Sequence, residues 1–159
     1  KIAHKLGVKV PLESERGYHI ELVNPSEMPR APMMVAKSKF VITPMEGRIR
    51  AAGVIEFGGL TSAVSKAPFE LLKRQLASLL PRVTYKRLDE WMGHRPAPAD
   101  SLPIIGENDK QGRSYSAFGH QHVGLTGGPK TGRIIADLIS KRNPNMDLAA
   151  FDPRKYKAL

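Results

Sequence analysis

The sequence predicts an α+β fold built on a mostly antiparallel sheet. Three segments with strand patterns come first, and connections of hairpin length join them. The first segment with helical periodicity follows, and the later elements do not alternate singly as the strands and helices of a parallel sheet do. With 159 residues, of which 41% are hydrophobic, the chain can form one domain or part of a larger one.

Three strands are expected in the first part of the chain. Apolar and polar residues alternate in Gly17–Asn24 (G-Y-H-I-E-L-V-N), and the proline-rich stretch Asn24–Pro32 then predicts a loop. Further strands are predicted over Met34–Thr43 and Arg48–Phe57. The sequence Pro-Met-Glu-Gly between them has turn chemistry, so these two strands are expected to pair as a hairpin.

Two helices and two more strands complete the prediction. Leucines recur at helical spacing in Pro68–Leu80, whose proline suits a first helical turn. Strands are expected over Lys86–Pro96 and Ser114–Gly119, with a turn and a short apolar piece over Pro98–Gly106 between them. The last helix is predicted over Pro129–Arg142, because its final turn is basic and a proline follows soon after.

The charge and composition limit the functional classes. The net charge is +10, but the basic residues are spread along the chain and aromatic residues make up only 6%. We therefore expect no nucleic-acid partner, although a basic, non-catalytic module that binds nucleic acid or another anionic partner remains the alternative. Cysteine is absent, which excludes disulfides, thiolate nucleophiles and cysteine-based zinc sites. No apolar run reaches the length of a membrane span.

The most informative stretch is Gly119–Ile139, which reads G-H-Q-H-V-G-L-T-G-G-P-K-T-G-R-I-I-A-D-L-I. Its glycines do not form the G-x-G-x-x-G pattern of dinucleotide-binding folds. Gly124–Thr131 resembles a P-loop, but Pro129 replaces the glycine and lacks the N–H group that a phosphate needs. The P-loop interpretation is therefore rejected.

Pro129 instead indicates the start of the last helix, because proline is favoured at the first helical position. Gly127 and Gly128 would then let a ligand approach closely, and the positive end of the helix dipole would favour an anion there. The alternative is a glycine turn that only reverses the chain.

A second motif lies in Trp91–Gly106, which reads W-M-G-H-R-P-A-P-A-D-S-L-P-I-I-G. Arg95 lies at the end of a predicted strand and is followed by a proline. A guanidinium group held in this way can bind a carboxylate through two parallel hydrogen bonds. The alternative is that Arg95 pairs with an internal Asp or Glu.

Together, the two motifs resemble the C-terminal part of the FAD-dependent amino acid oxidoreductase family, the group of D-amino acid dehydrogenases and glycine/sarcosine oxidases. They read W-x-G-x-R-P-x-x-x-D-x-x-P-I-I-G and, later, G-H-x-x-x-G-L-x-x-G-P-x-T-G-R-x-x-A-D-L-I. The hairpin within Phe40–Phe57 is similar to the family as well, so the resemblance covers most of the chain from about Gly17. It implies that the chain is the substrate-binding part plus the last flavin-contacting helix of a two-domain flavoenzyme.

The resemblance implies oxidation of a small amino or imino acid by hydride transfer to FAD. Arg95 matches the family arginine that binds the substrate carboxylate. His120 matches a frequent Gly-His pair, and the position of His122 holds arginine in some relatives. These three residues are the expected catalytic set. The two histidines lack a third ligand nearby, so no metal is expected.

The resemblance also implies which residues contact the flavin. Gly127–Thr131 and the start of the last helix would supply a positive field at the N1/C2=O edge of the ring. The stretch from Gly124 to Thr126 would lie along the ring. The complete expected set is Gly119, Gly124, Leu125, Thr126, Gly127, Gly128, Pro129, Lys130 and Thr131.

Roles outside the two motifs are also expected. Arg48 and Arg50 share one face of a strand, where an ion-paired or solvated role is favoured over a contact with the substrate. Trp91 is expected in the core or in a pocket wall. His19 and His94 are expected on strand faces.

The family's N-terminal G-x-G-x-x-G unit, which holds the FAD adenosine and pyrophosphate, is not found in these residues. We therefore expect residues 1–90 to be part of the substrate-binding domain and 91–159 to carry the carboxylate-binding arginine and the flavin-contacting loop and helix. The expected partners are the amino acid and the missing FAD-binding part, with oxygen or a quinone chain as electron acceptor. A cytoplasmic location is expected, with peripheral association at the inner membrane face as an alternative.

Overall fold

A computed structural model describes residues 2–109 and 111–156. It confirms the α+β prediction, with seven strands and three α-helices among the described residues. The elements are α1 (Ile2–Lys5), β1 (Leu12–Val23), β2 (Met33–Val35), β3 (Phe40–Met45), β4 (Arg48–Phe57), α2 (Ala67–Leu79), β5 (Arg87–Pro98), β6 (Ile104–Glu107), β7 (Tyr115–Phe118) and α3 (Gly124–Ile139). Short 3-10 helices lie at Gln121–Val123, Ala149–Phe151 and Pro153–Tyr156. In the described part of the chain, no helix combines the length and the apolar character that crossing a bilayer requires.

The chain divides into two compact units. One consists of Glu15–His94, and the other combines the first fourteen residues with the stretch from Arg95 onward. The expected functional division between residues 90 and 91 stays a prediction.

The Glu15–His94 unit is built on a five-stranded sheet with the strand order β2-β3-β4-β1-β5. Strands β3 and β4 pair antiparallel through the predicted turn, with Met45 opposite Arg48, so the hairpin prediction is confirmed. Strand β1 pairs antiparallel with β4, and Glu21 lies opposite Arg50.

One face of this sheet packs against α2 and forms the core. Side chains alternate along the strands, so every second residue of β1, β3 and β4 points towards the helix. The buried set is Tyr18, Ile20, Leu22, Phe40, Ile42, Ile49 and Ala51 from the sheet and Phe69, Leu72 and Leu76 from α2. Tyr18 and Phe69 meet edge to face, with ring centroids 5.1 Å apart.

The other unit contains a small antiparallel hairpin and α3. Ile104 of β6 lies opposite Phe118 of β7, and Ile104 is fully buried. Helix α3 packs against both strands and buries Ile134. The 3-10 helix Pro153–Tyr156 also packs on β6. This arrangement places the ends of β5 and β7 and the start of α3 within one compact unit.

Several predicted boundaries are wrong. The strand expected over Met34–Thr43 is two strands, because the chain turns between Val35 and Phe40 with Lys39 at a positive φ of 53°. Strand β1 begins at Leu12, five residues earlier than predicted, and its polar residues Ser14, Glu15 and Arg16 are buried. Because these buried positions hold polar residues, the start of β1 shows no alternation of apolar and polar residues, and the sequence pattern could not reveal it.

Candidate functional site

Arg95 lies near the end of β5 and is half-buried. Ala97 and Pro98, which end the strand, are buried, and proline at positions 96 and 98 fixes φ on either side of Ala97. The N–H of Ser101 then donates to the carbonyl oxygen of Pro98 at 2.9 Å, which closes a turn directly after the strand. The backbone that carries Arg95 therefore ends in a stiff, closed connection.

Gly119 brings the two sequence motifs together. It follows β7 with a φ of +81°, and a Cβ atom on it would lie 2.7 Å from Cγ of Pro98. Only glycine satisfies both the left-handed backbone and this approach. The start of the glycine-rich segment therefore lies directly against the end of the strand that carries Arg95.

His120 is held against α3. Its Nε2 atom lies 2.8 Å from Oγ1 of Thr131, a buried residue with 7% exposure. Cβ atoms on Gly124 and Gly127 would lie 3.5 Å from the Cβ and Cδ2 atoms of His120, so the ring covers this side of the helix. The geometry thus joins two predicted site residues, His120 and Thr131, in one contact. His122 lies in the 3-10 helix just before α3 and is exposed.

The predicted start of the last helix is wrong, because α3 begins at Gly124 and Pro129 lies inside it. The 3-10 helix Gln121–Val123 leads directly into α3 and supplies the first turn to which later residues add. Pro129 removes one N–H, so the carbonyl oxygen of Leu125 lacks its usual i+4 donor. The backbone of α3 therefore lacks one hydrogen bond because of the proline at its sixth residue. It also ends at Ile139, short of the predicted Arg142.

This correction moves the N-terminal end of the helix, and with it the positive end of the helix dipole. The first N–H groups of an α-helix have no partner within that helix, and Val123 at the N-cap makes no side-chain capping bond. In α3 these groups belong to Gly124, Leu125 and Thr126, which directly follow the 3-10 helix Gln121–Val123. Residues from Gly128 to Lys130 lie deeper in the helix, and Thr131 is buried.

The surface around the start of α3 suits a flat ring. Leu125 is 97% exposed and Val123 is 57% exposed, which is unusual for large apolar side chains. No heavy atom lies within 4 Å of a Cβ atom placed on Gly128. Glycine, exposed apolar surface and the positive end of a 16-residue helix together fit a planar ring that gains negative charge on reduction. The residues present thus fit a flavin.

On the strand face opposite the core, Glu21 accepts hydrogen bonds from Arg48 and Arg50 at 2.7–2.8 Å. The bond from Arg48, with help from Arg50, holds the pKa of Glu21 below its usual value despite burial. The ion-paired role predicted for these arginines is therefore confirmed.

Trp91 and His19 form a stack on strands of the same unit. Their ring centroids are 4.8 Å apart with planes at 17°. Trp91 is 53% exposed, so it does not lie in the core, and the alternative position in a pocket wall stays a prediction. A Cβ atom on Gly93 would meet the indole at 2.0 Å, which shows that the ring lies flat over this glycine. Burial, followed by the charge of Arg50, lowers the pKa of His19, whereas Glu21 acts in the opposite direction.

Reasoning from the sequence missed Arg16, which is 1% exposed. Its guanidinium donates to the carbonyl oxygens of Gly58, Gly59, Ser62 and Ala63 at 2.7–3.0 Å and contacts Glu56 at 3.4 Å. It thereby fixes the loop after β4. Arg16 directly precedes the strand expected over Gly17–Asn24, so no alternation of apolar residues marked it as buried.

Comparison with known proteins identifies the family. A family model described as "FAD dependent oxidoreductase" (DAO) matches residues 1–138. A D-amino-acid oxidase of Bradyrhizobium diazoefficiens is 38% identical over 98% of this chain and 38% of its own length. A D-amino acid dehydrogenase of Allorhizobium ampelinum is 32% identical over 96% of this chain and 37% of its own length. The chain thus spans somewhat more than a third of each relative.

Solved structures share the fold. Glycine oxidase from Geobacillus kaustophilus superposes with a TM-score of 0.73 at 24% identity, over 94% of this chain and 41% of its own. L-proline dehydrogenase from P. horikoshii superposes with a TM-score of 0.74 at 18% identity, over 95% of this chain and 42% of its own. Because the family model matches most of its length, the chain belongs to the DAO family of FAD-dependent oxidoreductases.

Proposed function

We propose that this chain forms the substrate-binding part and a flavin-contacting segment of an FAD-dependent oxidoreductase that oxidises a small amino or imino acid. The observation that carries the proposal is the contact of Gly119 with Pro98, which joins the Arg95 motif to the segment leading into α3. Relatives named D-amino-acid oxidase and D-amino acid dehydrogenase support a D-amino acid as substrate.

Arg95 is the proposed carboxylate ligand. Its guanidinium can donate two parallel N–H bonds to the carboxylate of an amino acid. Such a grip fixes the α-carbon and its hydrogen in one orientation. Positioning of this kind is a large part of the rate enhancement when the reacting bond must face an acceptor.

The start of α3 is the proposed flavin contact. When bound, FAD accepts the hydride that leaves the α-carbon, and its ring becomes negatively charged. The N–H groups of Gly124, Leu125 and Thr126 are proposed to donate towards that charge, and the helix dipole adds to their effect. Exposed apolar surface at Leu125 would cover the ring and exclude water.

The remaining predicted residues receive narrower roles. His120 is proposed to hold the segment that begins at Gly119 against α3, through its bond to Thr131. His122, which is exposed, is proposed to face the substrate and influence specificity. Gly127, Gly128, Pro129 and Lys130 are proposed to contact the flavin from the outer surface of α3.

Two partners are proposed from outside these residues. The adenosine and pyrophosphate of FAD require a nucleotide-binding part, which the 159 residues do not contain as a G-x-G-x-x-G motif. We propose that another part of the same polypeptide supplies it. Because the named relatives include an oxidase and dehydrogenases, oxygen and a quinone chain both fit as electron acceptor.

The proposal is tested by replacing Arg95 in the complete gene product that carries this chain. Loss of a bidentate, charge-assisted contact is worth roughly 3 kcal/mol, so Arg95→Ala should lower kcat/KM about 100-fold. Arg95→Lys should retain part of the activity, because lysine keeps the positive charge but cannot donate two parallel hydrogen bonds. Arg74→Ala, which removes an exposed arginine on α2, is the control and should leave kcat/KM unchanged. Unaltered kinetics in Arg95→Ala would contradict the proposed role.

The alternative of a basic binding module has less support. Arg48 and Arg50 pair with Glu21, and Arg133 and Arg142 pair with Asp137, so these arginines do not form an unpaired basic patch. Steeply salt-dependent binding of the chain to DNA or RNA would favour this alternative.

A further inference from the structure

The C-terminal 3-10 helix Pro153–Tyr156 is tied to the turn that follows β5. Nζ of Lys155 donates to Oδ2 of Asp100 at 2.6 Å and also donates to the carbonyl oxygen of Ala150. The Lys155 side chain is only 23% exposed. Asp100 is 40% exposed, so the pair lies at the surface, but the second acceptor holds Lys155 more firmly than a single surface ion pair would.

Asp100 organises the turn itself. While Oδ2 accepts from Lys155, Oδ1 accepts from the N–H of Leu102 at 3.1 Å. Ser101 between them has a φ of +61°, a left-handed conformation that costs a non-glycine residue about 1–2 kcal/mol. The turn therefore depends on contacts from outside it, and the carboxylate of Asp100 connects it to such a contact.

The platform that carries Lys155 is rigid. Pro153 is fully buried, and its Cδ atom lies 3.1 Å from where a Cβ atom on Gly106 would be. The N–H of Lys155 donates to the carbonyl oxygen of Asp152 at 3.1 Å. Arg154 closes on the carboxylate of Asp152 at 2.6 Å within the same turn. Lys155 thus extends from a fixed backbone rather than from a loose tail.

The turn after β5 connects the contact of Lys155 with Asp100 to the proposed site. It begins at Pro98, whose carbonyl accepts from Ser101 and whose ring lies against Gly119. Arg95 lies three residues before Pro98 on the same strand, and His120 follows Gly119 directly. One line of contacts therefore leads from Lys155 to the ends of both motifs.

We propose that Lys155 is a positioning residue for the oxidation: through Asp100 it fixes the turn after β5, and thereby the alignment of Arg95 with the segment leading into α3. This inference rests on the proposed function, because it assigns the pair a role in preparing the substrate and flavin contacts. Lys155 itself touches neither the substrate nor the reacting atoms.

The test compares Lys155→Met with Lys155→Arg and with Lys141→Met in the complete gene product. Lys155→Met should raise KM for the amino acid about tenfold with a smaller change in kcat, because binding depends on a correctly placed Arg95. Lys155→Arg, which can still donate to Asp100, should recover most of the loss. Lys141→Met removes an exposed cation that follows α3 and should leave KM unchanged.

Hydrogen exchange provides a readout that does not depend on activity. The N–H groups of Ser101 and Leu102 should exchange about tenfold faster in Lys155→Met than in the native protein, whereas those in the middle of α3 should not change. Because Lys155→Met also removes packing contacts, Asp100→Asn is a second variant, which keeps an acceptor for the N–H of Leu102 and removes the carboxylate that Lys155 contacts. It should raise KM in the same direction as Lys155→Met.

Two results would overturn the inference. One is a native KM in correctly folded Lys155→Met or Asp100→Asn, and the other is a loss that Lys155→Arg fails to recover. The failure is distinguishable from failure of the proposed function: if Arg95→Ala impairs the enzyme while Lys155→Met behaves like Lys141→Met, only the role of Lys155 is refuted.

Discussion

The imidazole of His120 and the hydroxyl of Thr131 meet at 2.8 Å, and this contact joins the residue before the 3-10 helix Gln121–Val123 to the eighth residue of α3. Thr131 is buried, so its hydroxyl depends on this partner rather than on water. The contact links two residues that the sequence motif places eleven positions apart.

Thr131→Val should weaken this link without changing the shape of the side chain. A net hydrogen bond contributes about 1 kcal/mol, so the free energy of unfolding should fall by roughly 1–2 kcal/mol, since the imidazole is also left unpaired. Thr126→Val, at an exposed position of the same helix, is the control and should change stability by less than about 0.5 kcal/mol. Denaturant unfolding measures both, and equal stabilities would argue against a structural role for the contact.

Gly119→Ala should be strongly destabilising. The added Cβ atom would lie 2.7 Å from Cγ of Pro98, and the φ of +81° is itself unfavourable for alanine. We expect a loss of about 2–4 kcal/mol. Gly132→Ala is the matched control, because Gly132 lies inside α3 and no heavy atom lies within 4 Å of its added Cβ. This control should gain about 0.5–1 kcal/mol, since alanine favours the helix. A tolerated Gly119→Ala would contradict the close approach of the two motifs.

Arg16→Met should unfold the loop after β4. The four carbonyl oxygens that accept from the Arg16 guanidinium would lose their donors, and methionine offers none in return. Removing one partner from a buried, charged network costs about 3–5 kcal/mol. Arg74→Met on the exposed surface of α2 should be nearly neutral. Proteolysis within 58–63 should accelerate in Arg16→Met, and an unchanged rate of cleavage and unfolding would count against this role.

The stack of His19 on Trp91 predicts a pH-dependent loss of stability. Burial lowers the pKa of His19 below 6.5, so the unfolded chain takes up a proton at a higher pH than the folded chain. The contribution of this residue is therefore fully present above pH 6.5 and is lost as the pH falls through the lowered pKa. His19→Gln should flatten this part of the stability profile between about pH 8 and pH 5.

Trp91 is the only tryptophan in the sequence and reports on this titration in the isolated chain. A charged imidazole stacked on the indole should change its emission, and the midpoint should lie below pH 6.5. His19→Gln should abolish the transition. A midpoint above pH 6.5 would contradict the direction of the shift.

The sequence predicted the elements that rest on periodic apolar residues. The strand predicted over Arg48–Phe57 has the bounds of β4, and leucine spacing located α2 to within one residue at each end. Those patterns reflect burial of one face of an element, which is a local property of the sequence.

The start of α3 could not be predicted in the same way. Pro129 is a good first residue for a helix, and local preference alone favours that position. The contact of His120 with Thr131 and the preceding 3-10 helix outweigh the lost hydrogen bond at Pro129, and both involve residues before the expected start. The carbonyl of Ser62 lies 46 residues from Arg16, and Lys155 lies 55 residues from Asp100, so no local pattern in the sequence indicates these contacts.

The central claim is tested most directly by mixing the complete, FAD-loaded gene product with D-amino acids in the absence of oxygen and other electron acceptors. The account predicts that a small D-amino or imino acid bleaches the visible absorption of the oxidised flavin, and that Arg95→Ala weakens the apparent affinity for it by about 100-fold. The account would be contradicted if no amino or imino acid reduced the flavin, or if Arg95→Ala were reduced with native affinity.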